Sequence, residues 1–278
     1  MPLTGKKVQF SKMHGAGNDY IYINALQEVP EDLPSLSSLI SNRHFGVGSD
    51  GLVVLLSSKV ADFRMRMFNA DGSEAEMCGN ASRCIGKYVY EKGLTKKEEV
   101  SLETKAGIKI LKLHIKEGIV ESVTVDMGAP VIRDEETEYT VSTGKNFIFK
   151  EVSMGNPHAV VFTDDLSDTN VLGYGPILEC ADIFPNKSNI EFVDVINREE
   201  VNMRVWERGS GETFACGTGA CATAVAGVSK GLTDRKILLH LKGGDLMVEW
   251  DEVTNHVFLT GGAEFICDGI FYIPQHVK

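Results

Sequence analysis

The chain has 278 residues, 43% of them hydrophobic, and a formal net charge of −11. That length allows one large domain or two of ordinary size, each with its own core. The acidic balance, the scattered basic residues, the lack of any apolar run near the roughly 18 residues of a membrane span and the lack of an apolar leader in residues 1–12 predict a soluble, cytoplasmic protein with no nucleic-acid or membrane partner.

In chain order, apolar runs predict strands over 8–10 and 20–23, flanking a loop at 13–19. Pro30 and Pro34 mark a loop, and residues 36–42 form a short helix candidate. Strands follow at 52–56 and 63–68. Ala81, Cys84, Ile85, Tyr88 and Val89 fall at helical spacing, which predicts a helix over 79–92 stopped by Gly93. Strands at 100–104, 108–115 and 119–125 come next, with Glu117-Gly118 as a turn.

The second half repeats this order, with strands at 146–152, 159–162, 190–196 and 201–206. A helix is predicted over 218–230; it is apolar nearly all round, so it should be buried. Strands at 237–241, 246–250, 256–259 and 265–273 complete the chain. The last of these has no evident counterpart in the first half and is expected to return to the N-terminal domain.

The likeness of the halves extends to residues. Cys78 and Cys216 lie 138 positions apart. At the same offset Gly17-Asn18 falls on Gly155-Asn156, Met65-Arg66 on Met203-Arg204, Glu74 on Glu212 and Lys92-Gly93-Leu94 on Lys230-Gly231-Leu232. Such matches in register point to an internal duplication. The expected fold is α+β: two pseudo-symmetric domains, each a mixed, mostly antiparallel sheet wrapped around a central helix. The N-terminal domain takes 1–125 plus 265–278 and carries Cys78; the C-terminal domain takes 126–264 and carries Cys216.

Six cysteines are present, and a cytoplasmic chain keeps them reduced. Their spacings are not the Cys-x2-Cys pairs of zinc sites, so no metal is expected. Cys84, Cys180, Cys221 and Cys267 read as structural, since a buried cysteine is usually a small hydrophobe. Cys78 and Cys216 differ, because each opens a predicted helix and is followed by glycine. Unpaired N–H groups at a helix start favour a thiolate and can also hold a carboxylate. Two thiols on opposite sides of a carbon next to that carboxylate would invert its configuration, one withdrawing a proton and the other delivering one. No Gly-rich dinucleotide motif is present, and no cofactor is expected.

At these residues the chain resembles the diaminopimelate epimerase family over essentially its whole length. The motifs are Met13-His14-Gly15-Ala16-Gly17-Asn18-Asp19, Asn69-Ala70-Asp71-Gly72-Ser73-Glu74 through Cys78-Gly79-Asn80, Met154-Gly155-Asn156-Pro157-His158, and Glu207-Arg208-Gly209 through Cys216-Gly217-Thr218-Gly219. The resemblance implies the duplicated two-domain fold, a homodimer and a cofactor-independent epimerase acting on the small molecule diaminopimelate. It implies that Cys78 and Cys216 are the acid/base pair and that His158 and Glu207 adjust their pKa. It further implies that Asn18, Asn69, Gly79, Asn80, Asn156, Asn189, Glu207, Arg208, Gly217 and Thr218 bind substrate. Asparagines suit a ligand with two ammonium and two carboxylate groups, and Arg208 can grip a carboxylate.

The sequence departs from the family pattern at two positions. Gly51 stands where some members have a substrate-binding glutamine, and Ala81 stands where glycine is usual. Two alternatives stay open: a racemase or allylic isomerase sharing the duplicated fold, and a thiol redox or ligand-binding protein. The redox reading is disfavoured by the absence of Cys-x-x-Cys.

Overall fold

The computed structural model describes residues 7–273. Its chain divides into two units, one running to Val123 and resuming at Gly262, the other spanning Thr124–Gly261.

The first unit begins with β1 (Lys7–Gly15), β2 (Asn18–Asn24), α1 (Leu33–Ser41), β3 (Gly51–Leu56), β4 (Phe63–Asn69) and β5 (Glu74–Ala75). It continues with α2 (Gly79–Glu91), β6 (Glu99–Thr104), β7 (Gly107–Lys116) and β8 (Ile119–Gly128), which runs on into the second unit. There follow β9 (Val131–Ile132), β10 (Thr137–Thr140), β11 (Asn146–Ser153), β12 (Pro157–Phe162), α3 (Asp168–Glu179), β13 (Asn189–Val195), β14 (Glu200–Glu207) and β15 (Gly211–Glu212). The second unit ends with α4 (Gly217–Ser229), β16 (Lys236–Leu241), β17 (Gly244–Trp250) and β18 (Val257–Gly261). The closing strand, β19 (Glu264–Tyr272), belongs to the first unit and pairs antiparallel with β1.

Strand pairing is the same in both units. In the first, β1 is antiparallel to β2, β2 parallel to β3, β3 antiparallel to β4, β4 parallel to β6 and β6 antiparallel to β7. In the second, β11 through β17 repeat this sequence of pairings, and β18 adds antiparallel to β17. The result is a mixed sheet in each unit with few helices, the expected fold class.

The residues explain why each sheet is covered on both faces. Side chains alternate across a strand, so a strand buried on one face alternates in polarity and one buried on both does not. Residues 51–55 of β3 and 189–193 of β13 are buried at every position. On one face of the first sheet Ile21, Ile23, Leu52 and Val54 pack with Leu33, Leu36 and Ile40 of α1. On the other, Tyr22 stacks on Tyr88 of α2. In the second unit Ile190 and Phe192 join Val171 and Leu178 of α3 in one core, and α4 packs on β11, β12, β13, β16, β17 and β18. Each fully buried aliphatic side chain contributes about 1.5–3 kcal/mol. Among the described residues no helix is long and apolar enough to cross a membrane.

Three expectations change. The loop at 13–19 is mostly strand: Gly15 pairs with Asn18, leaving a two-residue turn of Ala16 (φ 52°) and Gly17 (φ 80°). Both residues sit left-handed, the geometry that matches strand twist in a tight hairpin. The helix predicted over 36–42 starts earlier, at Leu33, where the Asp32 side chain accepts the Ser35 N–H. The closing strand does have a counterpart, because Val131–Ile132 pairs with β11 as β19 pairs with β1. The counterpart is only two residues long, too short to read as a strand.

Candidate active site

Cys78 is the N-cap of α2 and Cys216 the N-cap of α4. Both have extended backbones, and both carbonyls accept the first helical hydrogen bond, from Ser82 and Ala220. The loop before each cysteine is tied down in the same way. Arg66 Nε donates to Glu74 Oε1 at 2.7 Å, and Arg204 Nε to Glu212 Oε1 at 2.7 Å. The repeat seen in sequence therefore includes the ion pairs that hold the cysteine loops.

Around Cys78 the site residues of the first unit form a chain of amides. Cys78 Sγ donates to Asn18 Oδ1 at 3.5 Å, and Asn80 Nδ2 donates to the same oxygen at 3.3 Å. Asn18 Nδ2 in turn donates to Asp50 Oδ2 at 2.8 Å, which fixes which end of the amide faces the thiol. Burial pushes the Asp50 carboxyl up, against its hydrogen bond from Asn18. Gly79 opens the helix, and Asn80 is buried. Asn69 stands apart from this chain: it is exposed, and its Nδ2 donates to Ser73 Oγ at 2.9 Å.

Around Cys216 the network is longer. Gly219 N donates to Cys216 Sγ at 3.3 Å, and Thr218 Oγ1 lies 3.5 Å from the same sulfur. Asn156 Nδ2 donates to Thr218 Oγ1 at 3.3 Å, and Asn156 Oδ1 meets His158 Nε2 at 3.2 Å. His158 Nδ1 meets Glu191 Oε1 at 2.6 Å. Glu207 takes a short hydrogen bond from Thr213 and lies within hydrogen-bonding reach of Cys216. Burial raises the Glu207 carboxyl above its ordinary range.

Asn189 and Arg208 form a separate pair. Asn189 Oδ1 accepts the Arg208 backbone N–H at 2.9 Å, and Asn189 Nδ2 donates to Pro157 O at 2.8 Å. Arg208 itself is exposed and donates to Asn186 O at 3.1 Å. Glu179 secures the same loop by accepting Trp206 Nε1 at 2.9 Å and Gly209 N at 3.0 Å.

The structure corrects the expectation that a helix start lowers both thiol pKa values. Burial pushes the Cys216 thiol well up, and the Glu207 and Glu191 carboxylates push it further. Hydrogen bonds from Thr218 and Gly219 oppose this but do not reverse it. The partial charge of a helix end is weaker than burial beside two carboxylates. The structural cysteines also divide: Cys84 and Cys221 are buried, whereas Cys180 and Cys267 are exposed.

The departure at Gly51 has a steric reason. A Cβ on Gly51 would lie 2.1 Å from Phe68 O, so no glutamine fits there without a backbone shift. A Cβ on Gly219 would lie 2.7 Å from Glu191 Oε1. Ala81, at the matching place in the first unit, stands where the matching strand residue is Val53 rather than a glutamate.

Sequence reading missed Glu191 and Glu179. The signal for Glu191 was a charged residue inside an apolar strand run, aligned with a valine in the other half.

The profile of the family described as "Diaminopimelate epimerase" matches residues 10–133 and 151–266. The chain belongs to the diaminopimelate epimerase family. Its curated relatives include a diaminopimelate epimerase of Parabacteroides distasonis, 53% identical over 268 residues, covering 96% of this chain and 99% of the relative. One from Acetivibrio thermocellus is 50% identical over 273 residues, covering 94% and 98%. These isomerase relatives make the chain an epimerase-type enzyme. Solved structures with the same fold include a phenazine biosynthesis protein of Bacillus anthracis (TM-score 0.75, 18% identity, covering 96% of this chain and 100% of that one). A hydroxyproline epimerase of Agrobacterium vitis has a TM-score of 0.70 at 17% identity, covering 96% and 93%. At such identities the likeness concerns fold alone.

Proposed function

We propose that this chain interconverts LL- and meso-2,6-diaminopimelate, with Cys78 and Cys216 as a thiolate/thiol pair and without a cofactor. The observation that carries the reading is that both cysteines cap buried helices, each inside its own hydrogen-bonded network. A thiolate takes the α-hydrogen as a proton; an S–H bond forms, the C–H bond breaks, and the electron pair stays on carbon. The second thiol then gives its proton to the opposite face of that carbon and becomes the thiolate. The reverse reaction runs with the roles exchanged.

Cys216 starts as the acid, since its surroundings keep it a thiol. Backbone N–H groups at Gly79-Asn80 and Gly217-Thr218 offer donors to the substrate carboxylate and to the charge that develops beside it. Asn18, Asn69, Asn156, Asn189, Glu207 and Arg208 complete substrate recognition, with His158 and Glu207 adjusting the thiols. A cytoplasmic homodimer and a place in lysine and peptidoglycan precursor synthesis belong to the same reading, on the family resemblance.

Incubation of the purified protein with LL-diaminopimelate, followed by chiral chromatography, tests the substrate. Conversion to the meso isomer is expected. Unchanged LL isomer alongside rapid racemisation of another amino acid would reject the assignment.

A further inference from the structure

We infer that Glu191 is a positioning residue that makes Cys216 the acid of the pair by setting a buried carboxylate, held by His158, beside the sulfur. The inference rests on the two-thiol reading above.

Glu191 is fully buried on β13, and its Oε2 has no hydrogen-bond partner among the described residues. A buried carboxylate is costly, and one with an unsatisfied oxygen more so. Nothing in the packing of β13 calls for it, since Val53 fills the same place in the first unit. Its other oxygen holds His158 Nδ1 at 2.6 Å, and His158 Nε2 faces Asn156 Oδ1 at 3.2 Å. Both ring nitrogens thus meet oxygen atoms, one from β13 and one from Asn156. Asn156 in turn points its N–H₂ at Thr218 Oγ1, which lies 3.5 Å from Cys216 Sγ.

The same carboxylate closes on the thiol from the strand side. The point where a Gly219 Cβ would stand lies 2.7 Å from Glu191 Oε1 and 3.3 Å from Cys216 Sγ. Only glycine leaves that space empty. The ionisable groups facing Cys216 are Glu207 on β14, Glu191 on β13 and, beyond Glu191, His158 on β12. In the first unit the residues matching His158 and Glu191 are Tyr20 and Val53, so the His–Glu pair does not recur at those positions. The duplication supplied two like thiols, and this pair makes them unlike.

The test is Glu191→Gln, with the pH dependence of iodoacetamide alkylation read separately at Cys78 and Cys216 by peptide mass spectrometry. Alkylation follows the thiolate fraction. Removing a negative charge near the sulfur should move the Cys216 profile to lower pH by about one unit. The Cys78 profile should stay put. The high-pH limb of kcat/KM should move down with Cys216, while KM changes less than about threefold. If the glutamine variant does not fold, Gly219→Ala displaces the carboxylate sterically and should move the same profile the same way. A Cys216 profile unmoved in the folded variant, or equal shifts at both cysteines, overturns the inference. Neither result touches the two-thiol reading, which fails instead if Cys216→Ala retains full activity.

Discussion

Gly219 N donates to Cys216 Sγ at 3.3 Å, so this thiol caps its own helix, whereas Cys78 Sγ turns to Asn18. Two cysteines at matching positions therefore have different surroundings. Gly219→Ala should reveal the cost of filling the space that Cys216 shares with Glu191. The added methyl group would overlap Oε1, and urea unfolding should show a loss of about 1–3 kcal/mol. Ala81→Gly, the mirror change, should stay within about 1 kcal/mol, the helix-propensity difference alone.

Asp50 holds two groups of the first site, Asn18 Nδ2 at 2.8 Å and the Asp19 backbone N–H at 3.1 Å. Asp50→Ala leaves both without this acceptor and frees the Asn18 amide to turn. Steady-state kinetics should show kcat/KM lowered about tenfold, with stability lowered by about 1 kcal/mol.

Glu179 ties Trp206 and Gly209, on either side of Glu207-Arg208. Its bonds run to Trp206, Gly209 and Lys187 and not to the thiol network, which predicts an effect on recognition rather than on proton transfer. Glu179→Ala should raise KM about tenfold with kcat nearly unchanged, since a loosened loop loses binding common to ground and transition states.

Much of this was legible in the sequence, for reasons particular to each element. The buried helices α2 and α4 declare themselves through apolar spacing and the Cys-Gly start, and they begin 138 positions apart. The polar motifs around Asn18, Cys78, Asn156 and Cys216 carry the duplication because their hydrogen bonds need those residue types. Helix α3 does not declare itself: Asn170, Gly173, Gly175 and Pro176 are poor helix formers, and its packing against β13 and β14 overrides their propensity. The signal at Glu191 was passed over for a different reason. One charged residue in a strand reads as a solvated face, and only the covering helix α4 makes that face interior.

Stability should fall on the alkaline side. Burial raises the Cys84 thiol from its ordinary 9.0 to about 12. A raised group contributes stability that is fully present below the unfolded pKa and is lost as pH rises towards the folded one. Between pH 9.0 and about 12 the loss should be about 1.4 kcal/mol per pH unit for this thiol. Denaturation midpoints of the native protein and Cys84→Ala, compared from pH 8 to 11 (a range chosen to bracket about that ordinary value), should converge as pH rises; a constant difference would remove the titration from the account.

The central claim is that inversion needs both thiols. In deuterated water the native protein should convert LL-diaminopimelate to the meso isomer with deuterium at the inverted carbon. Cys78→Ala and Cys216→Ala should each abolish that inversion. Full inversion with deuterium uptake in either single variant would contradict it.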